Sequence, residues 1–186
     1  MKNPLLPQTD FTETTIETKP VYNGQMLKVR EDQVRLPDGK HARREWIDHP
    51  GAVIILAQLD DGQVVLERQF RYPVRRHLIE LPAGKIEIGE DPFLTAQREL
   101  LEETGYVAED WKHIFTVHSC IGYSNERIEF YRALGLTLQQ RQLDEGEFLD
   151  VFTLPLKDAL TLVESGEITD IKTITGLFWL ERQLRV

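Results

Sequence analysis

Polar and apolar positions alternate from Thr14 to about Arg35, with Tyr22-Asn23-Gly24 and Pro37-Asp38-Gly39 as turn signals. This pattern predicts two or three antiparallel strands. His41 to Asp48 predicts a further strand. The span holds few large apolar residues and needs a partner surface. Pro50-Gly51 marks a junction, which divides an N-terminal β segment, 1–48, from a main domain, 49–186. Ala52 to Ala57 is a continuous apolar run of strand length and predicts a central strand. Asp60-Asp61-Gly62 predicts a hairpin turn, Gln63 to Phe70 the next strand and Leu78 to Pro82 a short one. Further strands are expected over Trp111 to Ser119, Arg127 to Leu136 and Phe148 to Leu154, with loops over 120–126 and Gln139 to Glu147. Two helices close the chain. One runs from Leu156 to Glu164 and is stopped by Gly166. The other runs from near Asp170 through Leu177, Trp179, Leu180 and Leu184, an amphipathic stripe. Residues 1–13 carry two prolines and little periodicity and read as a flexible lead. The pattern as a whole is α/β: a mixed sheet with helices on both faces, an α/β/α sandwich.

At 186 residues, 41% hydrophobic and 28% charged, the composition is that of a soluble globular domain with a sizeable core. No apolar run approaches the length of a membrane span, so no membrane partner is expected. Met1-Lys2-Asn3-Pro4 lacks an apolar signal core, and the single cysteine, Cys120, excludes an internal disulfide. Both point to the cytoplasm. Cys120 reads as a buried small hydrophobe, since no partner base is indicated for a nucleophile. The net charge of −9 argues against nucleic acid as a partner but leaves room for a small anionic substrate.

One stretch carries the chemistry. From Gly84 to Tyr106 the chain passes from a Gly-punctuated loop into a helix, with Asp91 as N-cap, Pro92 at the first helical position and Gly105 as the left-handed stop. Glu99, Glu102 and Glu103 stand at i, i+3 and i+4, so one side of that helix carries three carboxylates. They repel one another unless something cationic sits among them. Mg²⁺ or Mn²⁺ is the natural occupant; the alternative is a solvated acidic face.

The stretch matches G-x5-E-x7-R-E-U-x-E-E-x-G-U, with U a bulky apolar residue, at Gly84, Glu90, Arg98, Glu99, Leu100, Glu102, Glu103, Gly105 and Tyr106. It resembles the Nudix box, the signature of hydrolases that cleave a nucleoside diphosphate linked to another group. Gln69 to Pro73, Glu80 to Ile86, Leu36 to Gly39, His49 to Val53, Gly122 to Arg127 and Asp144 to Phe148 resemble the ADP-ribose pyrophosphatase group, over about residues 15–184. That resemblance implies Mg²⁺-dependent hydrolysis of ADP-ribose to AMP and ribose 5-phosphate. It also implies a homodimer that exchanges its N-terminal strands, so that each helps build the partner's active site.

The resemblance assigns roles. Glu99, Glu103 and Glu102 are expected metal ligands, together with the carbonyl of Ala83. Glu80 either holds a metal-bound water or is an exposed strand-end acid. Arg98 pairs with box glutamates and holds the loop to the helix, and Glu90 holds the loop. Arg71 is the first choice for a phosphate or the terminal ribose, because its guanidinium is a bidentate fork. Arg44 and Glu45 either reach the partner's site or are edge-strand surface charges, and Trp46 either stacks on adenine or packs in a core or interface. Arg75, Arg76 and His77 are expected in a solvated loop. His41, His49, His113 and His118 lack ligand spacing. The base that activates or orients water is expected to be Glu147, with Glu145 as the alternate. One departure bears on the substrate: where ADP-ribose hydrolases carry Ser-Pro-Gly beyond the box, this chain has Cys120-Ile121-Gly122. Another sugar nucleotide, such as GDP-mannose, therefore stays open as the alternative, as does a nucleotide-sensing module that cleaves nothing.

Overall fold

The computed structural model describes Pro7, residues 9–143 and residues 146–184. Much of the expected N-terminal lead, and Glu145, lie outside the described residues. The chain forms two compact units.

The first unit contains β1 (Thr14–Asn23), β2 (Lys28–Arg35) and β3 (His41–Ile47), an antiparallel sheet in the order β1-β2-β3. The turns fall where the Asn-Gly and Asp-Gly signals stand: Gly24 N–H donates to the Leu27 carbonyl, and Gly39 N–H to that of Leu36. Residues 120–125 belong to the same unit. There Ile47 N–H donates to the Tyr123 carbonyl and Asn125 N–H to the Ile47 carbonyl. Cys120 is half-buried rather than buried, and the Tyr123 hydroxyl donates to its Sγ at 3.2 Å. Among the described residues of this unit Val34 is the buried apolar side chain, whereas Ile16, Val21, Tyr22 and Leu27 are exposed. Its core is as thin as the sequence suggests.

The second unit holds two sheets. β7 (Ala83–Lys85), β4 (Ala52–Ala57), β9 (Arg127–Leu138) and β8 (Tyr106–His118) form a mixed sheet in that order. β4 pairs parallel with β9 and antiparallel with β7. β10 (Leu149–Pro155), β5 (Gln63–Arg71) and β6 (Arg76–Glu80) form an antiparallel sheet with β5 in the middle. The turn at Asp60-Asp61-Gly62 is present, but β4 and β5 part into the two sheets after a single bridge between Gln58 and Val64. Arg76 and His77, expected in a loop, open β6; Arg76 donates to the Thr169 hydroxyl and His77 lies edge-on to Phe70.

β4 is buried on both sides, which is why its sequence is apolar without alternation. Ile54 and Leu56 pack with Leu66, Phe130, Leu177 and Leu180 beneath α2 (Leu156–Glu164) and α3 (Ile171–Leu184). Val53, Ile55 and Ala57 pack with Val65, Ala96 and Leu100 of the box helix on the other side. Each such fully buried aliphatic side chain contributes about 1.5–3 kcal/mol. The α/β/α layering expected from the pattern is therefore the architecture of this unit.

Candidate active site

The box helix begins as expected. Asp91 Oδ1 accepts from Phe93 N–H at 2.8 Å, Pro92 occupies the first turn, and α1 runs over Pro92–Glu99. It does not continue as an α-helix. From Leu100 to Thr104 the winding is that of a π-helix, closed by Gly105 at φ 77°. Widened turns of this kind gather at functional sites. The three glutamates of the box helix differ in burial. Glu103 turns inward and is 4% exposed, whereas the side chains of Glu99 and Glu102 are 14% and 30% exposed.

Two strand-borne features meet these acids. Ala83 N–H, at the start of β7, donates to Glu103 Oε2 at 2.9 Å. At Gly84 an added Cβ would lie 1.9 Å from the Glu99 carboxyl carbon, so only glycine lets that carboxylate rest against the strand. Gly84→Ala is expected to melt cooperatively, because the side chain in the way is flexible at its end. Displacing Glu99 should lower turnover by about tenfold or more, equivalent to about 1.4 kcal/mol. Circular dichroism and steady-state rates test this; wild-type turnover would contradict it.

Arg98 ties loop to helix. Its Nε and Nη2 each donate to Glu90 at 3.1 Å, and Nη1 lies 2.8 Å from Glu102 Oε2 and 2.9 Å from Glu99 Oε1. The guanidinium holds the Glu90 carboxyl at about 2, well below its ordinary 4.5. A depressed carboxyl stabilises the fold above its unfolded value and loses that contribution as pH falls through its folded value. The melting-temperature difference between wild type and Glu90→Gln is therefore expected to be constant above about pH 5 and to shrink between about pH 4.5 and 2. A difference that grows on acidification would contradict the latch.

Arg71 closes a bidentate fork on Glu80, at 2.7 Å and 3.0 Å. Glu80 is 1% exposed, so it is not an exposed strand-end acid. Lys172 Nζ, near the start of α3, stands 3.5 Å from Glu80 Oε2 and 2.5 Å from Asp170. Leu81 N–H donates to Thr173 Oγ1 at 2.9 Å, which fixes the passage from β6 into the box. Glu147 is half-buried and borders a cleft of about 340 Å³ with Arg68, Phe70, His77 and Phe148.

Sequence reasoning missed Glu67. It sits on β5 opposite Glu80 of β6 and Val151 of β10, and its exposure is 0%. Burial, then the charge of Glu80, pushes its carboxyl up to about 8, against the pull of Arg71. Burial likewise raises Glu99 to about 7, against the pull of Arg98. Glu103 is raised by burial and by Glu67. The charge of Glu147 adds to all three shifts. Among the described residues no three acidic, thiol or imidazole side chains converge on one point as they stand. Arg98 draws Glu99 and Glu102, and Arg71 draws Glu80. What remains is a group of buried carboxylates short of positive charge, with oxygen donors alone. That chemistry fits a hard divalent cation.

Arg44, Glu45 and Trp46 lie on β3 of the first unit. Arg44 donates to both oxygens of Glu13, Glu45 is exposed, and Trp46 has a buried Nε1 without an acceptor and Arg30 at 6.0 Å from its ring.

A mixed-sheet sandwich that presents buried glutamates from a loop–helix motif defines a hydrolase of the Nudix class. The comparisons agree: residues 48–177 match the NUDIX domain, and residues 13–47 match the nucleoside diphosphate sugar hydrolase N-terminal domain. The chain belongs to the Nudix hydrolase family. It is 41% identical over 171 residues to the ADP-ribose pyrophosphatase of Bacillus subtilis (strain 168), covering 91% of this chain and 92% of that protein. It is 39% identical over 175 residues to the methanol dehydrogenase activator of Bacillus methanolicus, covering 93% and 95%. In fold it resembles a solved ADP compounds hydrolase, with a TM-score of 0.82 and 22% identity over 96% of this chain and 100% of that one. Nudix hydrolases generally need a divalent metal, and no helix among the described residues is long and apolar enough to cross a membrane.

Proposed function

We propose that this protein hydrolyses the diphosphate bond of ADP-ribose to AMP and ribose 5-phosphate with Mg²⁺. The observation that carries the reading is the buried carboxylate group of Glu99 and Glu103, short of positive charge and framed by Gly84 and Ala83. Likeness to an ADP-ribose pyrophosphatase over nine-tenths of both chains supports the substrate. Glu99, Glu103, Glu102 and the Ala83 carbonyl would hold the cation, with Glu80 beside them. When bound, it supplies charge to the diphosphate oxygens and lowers the pKa of water. Glu147 accepts a proton from the attacking water or orients it. Arg71 and Lys172 hold Glu80 in place, and Arg71 is near enough to the acids to turn its fork to a phosphate. Arg98 keeps the ligand-bearing turn against its loop.

The reading includes a cytoplasmic homodimer in which residues 1–48 are exchanged, while 49–186 carry the hydrolase domain. Its support is the apolar surface of Ile16, Val21, Tyr22 and Leu27 on a sheet with a thin core. Arg44, Glu45 and Trp46 are then substrate-binding residues of that sheet.

A hydrolysis screen of ADP-ribose, GDP-mannose, NADH and diadenosine polyphosphates with Mg²⁺, read by chromatography, tests the substrate. ADP-ribose is expected to be cleaved with the highest kcat/KM. Preference for GDP-mannose would move the assignment to another nucleoside diphosphate sugar.

A further inference from the structure

Glu67 occupies the middle strand of the β10-β5-β6 sheet and is 0% exposed. Neither of its carboxylate oxygens receives an N–H or hydroxyl hydrogen from the protein. Its immediate polar neighbour is the carboxyl of Glu103, itself 4% exposed, with which it shares a hydrogen bond when one of the two is protonated, and the charges of Glu80 and Glu147 also bear on it. The nearby cations are engaged elsewhere: Arg71 and Lys172 on Glu80, Arg98 on Glu90, Glu99 and Glu102. Among the described residues neither Glu67 nor Glu103 stands in an ion pair within 4 Å. A buried carboxylate without donors is costly, and two in contact are costlier. Two strand neighbours of Glu67 are apolar: Val65 lies two positions before it on β5 and Val151 stands opposite it on β10. The charge has a use only when a cation lies beside Glu103.

We propose that Glu67 is a further member of the carboxylate set that takes the divalent cation, and that burying its carboxyl without a partner makes the metal-free fold less stable than one without it. The inference rests on reading the box glutamates as a cation centre. Glu67 extends that centre from the helix into the strand beneath it, so the cation is felt by both walls of the site. Removing a carboxylate that supports the ligands from behind typically weakens metal affinity by about 10–100-fold.

The test uses Mn²⁺ as probe, with free ion read by electron paramagnetic resonance at fixed pH, and melting recorded in EDTA. Wild type, Glu67→Gln, Glu67→Leu and Glu99→Gln are compared. The expected result is a Kd for Mn²⁺ raised by about tenfold or more in both Glu67 variants, with melting in EDTA at or above the wild-type temperature. If Glu99→Gln weakens binding and the Glu67 variants stay within about twofold of wild type, well below the expected loss, this proposal alone falls. If the wild type binds no Mn²⁺, or Glu99→Gln leaves binding unchanged, the cation-centre reading falls and takes the proposal with it. If both Glu67 variants melt well below wild type in EDTA or fail to fold, the carboxyl stabilises the metal-free protein and the proposal is overturned.

Discussion

Glu103→Gln is expected to fold as the wild type does and to lose most of its turnover at saturating Mg²⁺. Glutamine keeps the length of the side chain and a carbonyl oxygen to accept from Ala83 N–H, the 2.9 Å bond that seats Glu103. Burying an amide in place of a carboxyl that Glu67 already repels costs the fold little. The chemistry loses a negative oxygen at the most enclosed of the box glutamates, where charge is least screened. One ligand's share of the charge stabilisation is several kcal/mol, so a fall in kcat on the order of 10²–10³ is expected. Circular dichroism, melting temperature and kcat measured on one preparation decide the matter. Near-normal turnover in a well-folded variant would remove the box glutamates from the mechanism.

The second large effect is expected at Glu147. It stands half-buried at the end of an acidic loop, before Phe148, which is 82% exposed. Its charge bears on the carboxyls of Glu67, Glu99 and Glu103. A loop can also carry its base over a bound diphosphate and exclude bulk water. Glu147→Gln should lower kcat by about 10²–10⁴-fold and leave KM nearly unchanged, because the lost interaction acts in the transition state. Glu145→Gln should be mild. The reverse ranking would move the role to Glu145, and mild effects from both single changes and the double change would place the base elsewhere.

What the sequence made legible follows from local chemistry. Asp91, Pro92 and Gly105 mark the ends of the box helix because caps and stops are properties of single residues. The bounds of α2, Leu156 and Glu164, are those the apolar stripe predicts, with Gly166 at φ 80° behind them. The π-helical turn at Leu100–Thr104 was not legible, since a change of winding leaves the order of apolar residues intact. β8 begins at Tyr106 rather than Trp111, because Tyr106 to Asp110 gain strand character by pairing with Leu134 to Leu138, a contact remote in sequence. Glu67 escaped notice for the same reason. An acid after Val64, Val65 and Leu66 looks like the solvent-facing step of an alternating strand, and only its pairing with Glu80 and its contact with Glu103 make it part of the site. One signal pointed to it, a charge ending an apolar run. In the same way Arg71 and Glu80, nine residues apart, could be named singly but not as a pair.

The central claim is that a buried carboxylate set, loaded with a divalent cation, cleaves a nucleotide sugar at its diphosphate. The most direct test follows ADP-ribose with the metal-stripped wild-type protein, first alone, then with Mg²⁺, then with excess EDTA. AMP and ribose 5-phosphate should appear in equal amounts only after Mg²⁺ is added, and their formation should stop with the chelator. Product formation that ignores both additions, or an intact substrate throughout, would contradict the account.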